Sequence, residues 1–112
     1  MTRDKIMSML LDKYPELELH SSGHSCQEAE GWDLGFEHKS KPKASLEIHG
    51  IGMDEEGRVG IKSTIVENYS RDTFDNVDDY RESKQFKTAW YKDGELPPEV
   101  IAAADHFVGA AA

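Results

Sequence analysis

The densest group of side chains able to bind a metal or attack a substrate is His20-Ser21-Ser22-Gly23-His24-Ser25-Cys26. Imidazole and thiolate are the usual ligands of zinc and related ions. A hydroxyl or thiol beside an imidazole is also the starting arrangement of a nucleophile and its base. The spacing specifies neither chemistry. A structural zinc site asks for paired ligands a few residues apart, and a second cysteine is missing. A nucleophile needs its base within hydrogen-bonding distance and a third group to orient that base, and the chain has no G-x-S-x-G elbow. A loop rich in Ser, Gly and His reads more simply as a solvated turn, so neither a cofactor nor a metal is expected. The alternative is a small metal-dependent enzyme centred on His20, His24, Cys26 and His49, which metal analysis of zinc-free preparations would test.

Other constellations are weaker. Glu47 and His49 lie two apart on one face of a candidate strand, where an acid and a base could cooperate, but a wet sheet surface explains them equally. Gly50, Gly52, Gly57 and Gly60 cluster around a hairpin and not between a strand and a helix N-terminus, as a phosphate loop requires. Asp54-Glu55-Glu56 lacks the alternating oxygen ligands of a calcium loop. With no catalytic residue identified, the expectation is that the chain is not an enzyme.

Charge is more informative. Among 112 residues, 22 Asp and Glu oppose 13 Lys and Arg, a formal net charge of -9. A field of that sign repels nucleic acid and anionic lipid and attracts basic protein surfaces, over a Debye length of about 8 Å in physiological salt. Residues 67–82 concentrate it: Glu67, Asp72, Asp75, Asp78, Asp79 and Glu82 face only Arg71 and Arg81, a net of -4. Phe74, Val77 and Tyr80 interleave apolar anchors among these acids, as a segment needs if charge steers encounter and buried aromatics hold the complex. A solvated loop pinned by three apolar side chains accounts for the same residues. Glu37 and Glu47, on outward strand positions, extend the acidic surface.

These residues predict a non-enzymatic acidic binding protein that inhibits a partner by occupying its basic, nucleic-acid-binding surface. The expected partner is a nucleic-acid-binding protein or nuclease, with no direct nucleic acid or membrane contact, and the chain would be a monomer or homodimer. Small acidic inhibitors from phages and mobile elements, including anti-CRISPR and toxin-immunity proteins, share this size and charge; the likeness is one of class and rests on no matching residue. A third reading is an acidic dimeric secretion chaperone or adaptor that holds a client through a sheet edge or an apolar patch at Trp90 and Tyr91. A single cysteine, Cys26, and a polar N-terminus without a signal-like apolar run fit the cytoplasm.

The elements that must position these groups follow from periodicity. Ile6, Met7, Leu10, Leu11 and Tyr14 recur at helical spacing after Thr2 and stop at Pro15. Leu17 and Leu19 then alternate with Glu16, Glu18 and His20 as a first strand, with a turn over residues 21–30. Trp32, Leu34, Phe36 and His38 alternate with Asp33, Gly35 and Glu37 as a second. Lys39-Ser40-Lys41-Pro42-Lys43 reads as a basic turn, the one cationic knot in the chain. Residues 44–53 and 58–67 read as a hairpin around Asp54-Glu55-Glu56-Gly57, with Leu46 opposite Ile65, Ile48 opposite Ser63 and Gly50 opposite Ile61 on the apolar face. On the polar face, Glu47 meets Thr64 and His49 meets Lys62.

Residues 68–85 hold no period and read as a long acidic connection. Phe86, Thr88 and Trp90 alternate as a fifth strand, with a helix through Phe86, Ala89 and Trp90 as the alternative. Pro97 and Pro98 open a final helix with a stripe of Val100, Ile101, Ala104, Phe107 and Val108 that Gly109 should stop. The expectation is one α+β domain spanning residues 1–112, with an antiparallel meander of four or five strands and the terminal helices packed on one face. The uncovered face would then carry Glu16, Glu18, Asp33, Glu37 and Glu47 against Lys62.

Overall fold

The first helix forms because Ile6 and Leu10 fall on one side of it and bury completely, with Met7 and Leu11 packed beside them. It runs Thr2–Lys13 (α1), Tyr14 closes its last turn by donating its amide to the Leu10 carbonyl at 2.9 Å, and Pro15 cannot continue it. The structure is a computed structural model that describes residues 2–23, 30–67 and 81–111, with backbone alone at 41–43, 81–83 and 110–111. After α1 come β1 (Leu17–Gly23), β2 (Glu30–His38), β3 (Lys41–Met53), β4 (Val59–Glu67), β5 (Arg81–Gln85), β6 (Ala89–Tyr91) and α2 (Pro98–Ala111). No helix among the described residues is long and apolar enough to cross a membrane.

The strands make one antiparallel sheet in the order β1-β2-β3-β4-β5, and β6 pairs with the other half of the β4 edge that β5 occupies. The central hairpin takes the register that alternation predicts: Leu46 opposite Ile65, Ile48 opposite Ser63, Gly50 opposite Ile61, Glu47 opposite Thr64 and His49 opposite Lys62. A slip of one residue would turn every apolar side chain to the wrong face, which is why the pattern determines the pairing. Asp54 fixes the turn: its carboxylate accepts the Glu56 amide at 3.0 Å, the Arg58 amide at 2.8 Å and the Arg58 guanidinium at 2.7 Å. Desolvation opposes ionisation there, but these Arg58 and Glu56 contacts prevail and hold the carboxyl below its ordinary range.

Both helices cover the same face. Ile6 and Leu10 of α1 join Val100, Ala103, Ala104 and Phe107 of α2 in one cluster with Leu34, Phe36, Leu46, Ile48 and Ile61 of the sheet. The Tyr14 hydroxyl ties the helices together by donating to Asp105 Oδ1 at 2.6 Å, and its pKa is driven upward by burial and by that carboxylate. Trp32 is 1% exposed and lies on Gly50, where any side chain would overlap the indole. This close approach gives Gly50 its role in the middle of a strand. The α+β arrangement with terminal helices on one face is therefore the fold that periodicity predicts.

Several boundaries differ from expectation. Ser21, Ser22 and Gly23 belong to β1, because the β2 strand extends far enough to pair with them. The basic turn shrinks to Lys39 and Ser40, with β3 starting at Lys41; Ser40 donates its amide and places its hydroxyl on His38 Nδ1 at 3.1 and 2.7 Å. Residues 81–85, expected in a connection, form edge strand β5; an edge strand held by backbone pairing to β4 need not alternate apolar and polar side chains. The expected strand over 86–91 is restricted to Ala89–Tyr91, with a break at 86–88. Gly109 does not stop α2, which continues to Ala111.

One core position predicts a stability gain. Ser63 sits on the helix-covered face opposite Ile48, and its hydroxyl is buried without a hydrogen-bond partner among the described residues. Ser63→Ala should raise the free energy of unfolding by about 1 kcal/mol in urea titration, because the unmatched hydroxyl loses water on folding for nothing in return. An unchanged or lower midpoint would show that the hydroxyl is satisfied.

Candidate functional site

The sheet face turned away from the helices carries the ionisable groups, and a strand irregularity organises them. The β1 to β2 register shifts between Leu19 and Ser21, which leaves His20 as an extra residue. Gly35 on β2 makes room for it; a methyl there would come within 2.9 Å of the imidazole. His20 Nε2 lies 2.7 Å from Ser45 Oγ, and the Ser45 hydroxyl donates to Glu47 Oε1 at 2.9 Å. When Glu47 is ionised it takes that single hydroxyl proton, and Nε2 is then the donor to Ser45.

Hydrogen-bond direction decides what this chain of groups can do. A serine activated by histidine donates its proton to the imidazole, whereas here an ionised Glu47 accepts the Ser45 proton. Ser45 is also fully buried, so no substrate carbonyl can reach it. Glu47 is only 7% exposed, and burial pushes its pKa up, helped by the negative charge of Asp33 and opposed by the Ser45 hydrogen bond. The expected wet surface at Glu47 is therefore wrong: the carboxyl is part of a buried polar network and is unavailable for contact with a macromolecule. His49 is half-buried, opposite Asp33 on one side and Lys62 on the other. Asp33 Oδ1 is buried without a hydrogen-bond partner among the described residues.

Glu47 gives a pH prediction. Its folded pKa lies above the unfolded value, so its contribution to stability is fully present below the unfolded carboxylate pKa and is lost as pH rises through the folded pKa. Glu47→Gln keeps the acceptor for Ser45 and removes the charge. The variant should melt higher than the parent at pH 7, and the difference should vanish near pH 4. A difference that grows on acidification would mean that the buried carboxylate is stabilised by partners instead.

Of the other expected contact residues, Glu67 is exposed at the end of β4, opposite Arg81. Glu37 is half-buried, directly across from exposed Glu18. Glu82 stands on β5 opposite Val66, with its side chain outside the described part. Asp72, Phe74, Asp75, Asp78, Asp79 and Tyr80 lie outside the described residues, as do His24 and Cys26. Among the described residues, no three His, Cys, Asp or Glu side chains converge on a metal-sized space. The apolar pair divides: Tyr91 is buried, while Trp90 is 47% exposed beside Ile51.

Two features escape sequence reasoning. The His20-Ser45-Glu47 network depends on a bulge for which His20 carries no local signal. A second cationic stretch, residues 81–92, holds Arg81, Lys84, Lys87 and Lys92 against Glu82 alone, a net of +3. Its bases are spaced among uncharged residues, so it lacks the density of Lys39 to Lys43; counting charge by strand instead of by cluster would have found it. A shallow cleft of about 430 Å³ between α1 and the connection after β6 is lined by Asp4, Lys5, Ser8, Met9, Tyr91 and Asp93. Its two acids and one base present no nucleophile with an oriented base. No family model matches the chain, and no curated protein or solved structure is significantly similar to it.

Proposed function

We propose that this chain is a non-enzymatic binding protein that inhibits a partner by covering its basic, nucleic-acid-binding surface. The observation that supports it most is the carboxylate surplus, a net charge of -9 with 22 acids. Two of these carboxylates, Glu18 and Glu37, stand directly across β1 and β2 from each other on one face of the sheet. Together they can meet Lys and Arg of a partner. Carboxylates on a rigid scaffold can stand in for phosphates, and their field raises association rates above the neutral range of about 10⁵ to 10⁶ M⁻¹s⁻¹.

The contact surface in this reading combines Glu18, Glu37 and Glu67 with the 67–82 segment, and excludes buried Glu47. Action as an antidefence or toxin-immunity inhibitor fits the size and charge, and a lone cysteine fits a reducing cytoplasm. The test is capture from host lysate on immobilised protein with elution in rising salt. Basic nucleic-acid-binding proteins released as salt rises are expected; acidic partners, or partners held only at high salt, would refute the reading.

A further inference from the structure

We propose that His20, Ser45 and Glu47 form a proton-sharing latch: the imidazole and the carboxyl hold one proton between them through the Ser45 hydroxyl, and β1 stays fastened to β3 while that proton is held. The proposal goes beyond the binding reading above and does not depend on it. β1 pairs with β2 alone among the described residues, so backbone hydrogen bonds tie it to one neighbour. The His20 side chain reaches further, over Gly35 of β2 to the Ser45 hydroxyl of β3 at 2.7 Å. Two local choices serve that crossing. The bulge at His20 gives up regular pairing, and a glycine inside a strand weakens it, yet together they seat one imidazole above the middle of β2. Ser45 is fully buried and Glu47 nearly so, which shields the bridge from water.

The bridge can carry a proton in either direction. With Glu47 protonated, its carboxyl O–H can donate to Ser45 Oγ while the Ser45 hydroxyl donates to His20 Nε2, the ring then keeping its own proton on Nδ1. Passing the carboxyl proton to Oγ, and the hydroxyl proton on to Nε2, leaves a carboxylate, an intact serine and an imidazolium, with no proton gained or lost. The surroundings are mainly acidic: Glu18 of β1 and Asp33 and Glu37 of β2 share this face, with Glu82 at the β5 position opposite Val66. His49 and Lys62 oppose each other on β3 and β4, Lys43 precedes Ser45 by two residues, and Arg3 of α1 donates to the Gly23 carbonyl at 3.0 Å. Loss of the last proton leaves a buried carboxylate near Asp33 with a neutral imidazole, and burial, then Asp33, holds the Glu47 carboxyl above its ordinary range. Stability that depends on this proton is therefore lost as pH rises, and the loss falls on β1, the strand that the bridge fastens.

The test follows the His20 ring and the Glu47 carboxyl of the full chain by NMR between about pH 4 and pH 9. Two groups that share a proton titrate as a pair, so each resonance should trace the same two inflections. Glu47→Gln should lower the His20 midpoint by at least about one pH unit, and His20→Gln should raise the Glu47 midpoint by the same amount, since coupling between two sites is reciprocal. Amide exchange supplies the second readout. Protection of Leu19 and Ser21, corrected for the intrinsic pH dependence, should fall at least about tenfold relative to Leu46 and Ile48 as the last proton leaves, and should not do so in Glu47→Gln. Independent single inflections in the parent would overturn the proposal without any variant. So would midpoints that neither substitution moves, or β1 protection that stays in step with β3 across the range.

Discussion

Trp32→Ala is expected to lower the free energy of unfolding by about 3 to 5 kcal/mol in urea titration, the largest stability effect of any single change considered. The indole is 1% exposed and sits where Gly50 has no side chain, so its removal empties a space that neighbouring β-strand backbone cannot fill. Small domains are stable by about 5 to 15 kcal/mol, so the variant would sit near the folding threshold at 37 °C. The contact has a converse test. Gly50→Ala drives a methyl into the ring and should cost about 1 to 3 kcal/mol, and much less when Trp32 is already Ala. Additive effects in the double variant, or a cost below about 1 kcal/mol for Trp32→Ala, would show that the two residues do not share that space.

Charge reversal is expected to have the largest effect on binding. Asp75→Lys, Asp78→Lys and Asp79→Lys together, in a second variant joined by Glu18→Lys and Glu67→Lys, should weaken partner capture roughly 10- to 100-fold, mainly through slower association. Glu18 and Glu67 are exposed, so the added changes should leave the melting temperature within a few degrees of the parent. Glu47→Lys would not serve, since it would place an ammonium in the buried network with Ser45 and His20. Capture that survives the five reversals would remove the acidic surface from the mechanism.

Most of the fold was legible because burial and periodicity are coupled residue by residue. The Leu46, Ile48 and Gly50 positions, read against Ile65, Ser63 and Ile61, left one register that keeps the apolar side chains together, and that register is the one observed. Pro15 and the Pro97-Pro98 pair set helix limits for a reason intrinsic to the ring. Gly109 misled because a glycine favours a helix end but does not impose one, and α2 continues through Ala110 to Ala111, both good helix formers. Strand β5 was hidden because Arg81 to Gln85 owe their conformation to the β4 backbone and not to their own pattern.

The site was less legible, for a related reason. Alternation correctly put Glu47 on the face away from the helices, but alternation reports direction, not depth, and Glu47 proved to be buried with Ser45. The bulge that brings His20 onto Ser45 has no signature in Leu19-His20-Ser21. Charge, in contrast, is a property of the whole surface and needs no geometry to be counted, which is why the acidic surplus carries the functional reading.

The most direct test of that reading is competition for one captured partner between this chain and a short DNA or RNA duplex that the partner binds. The account predicts mutual exclusion: rising concentrations of the chain should displace the duplex completely, and the charge-reversed variant should not. A stable complex containing partner, duplex and chain together would contradict it, since a protein that replaces phosphates on a basic surface cannot leave them in place.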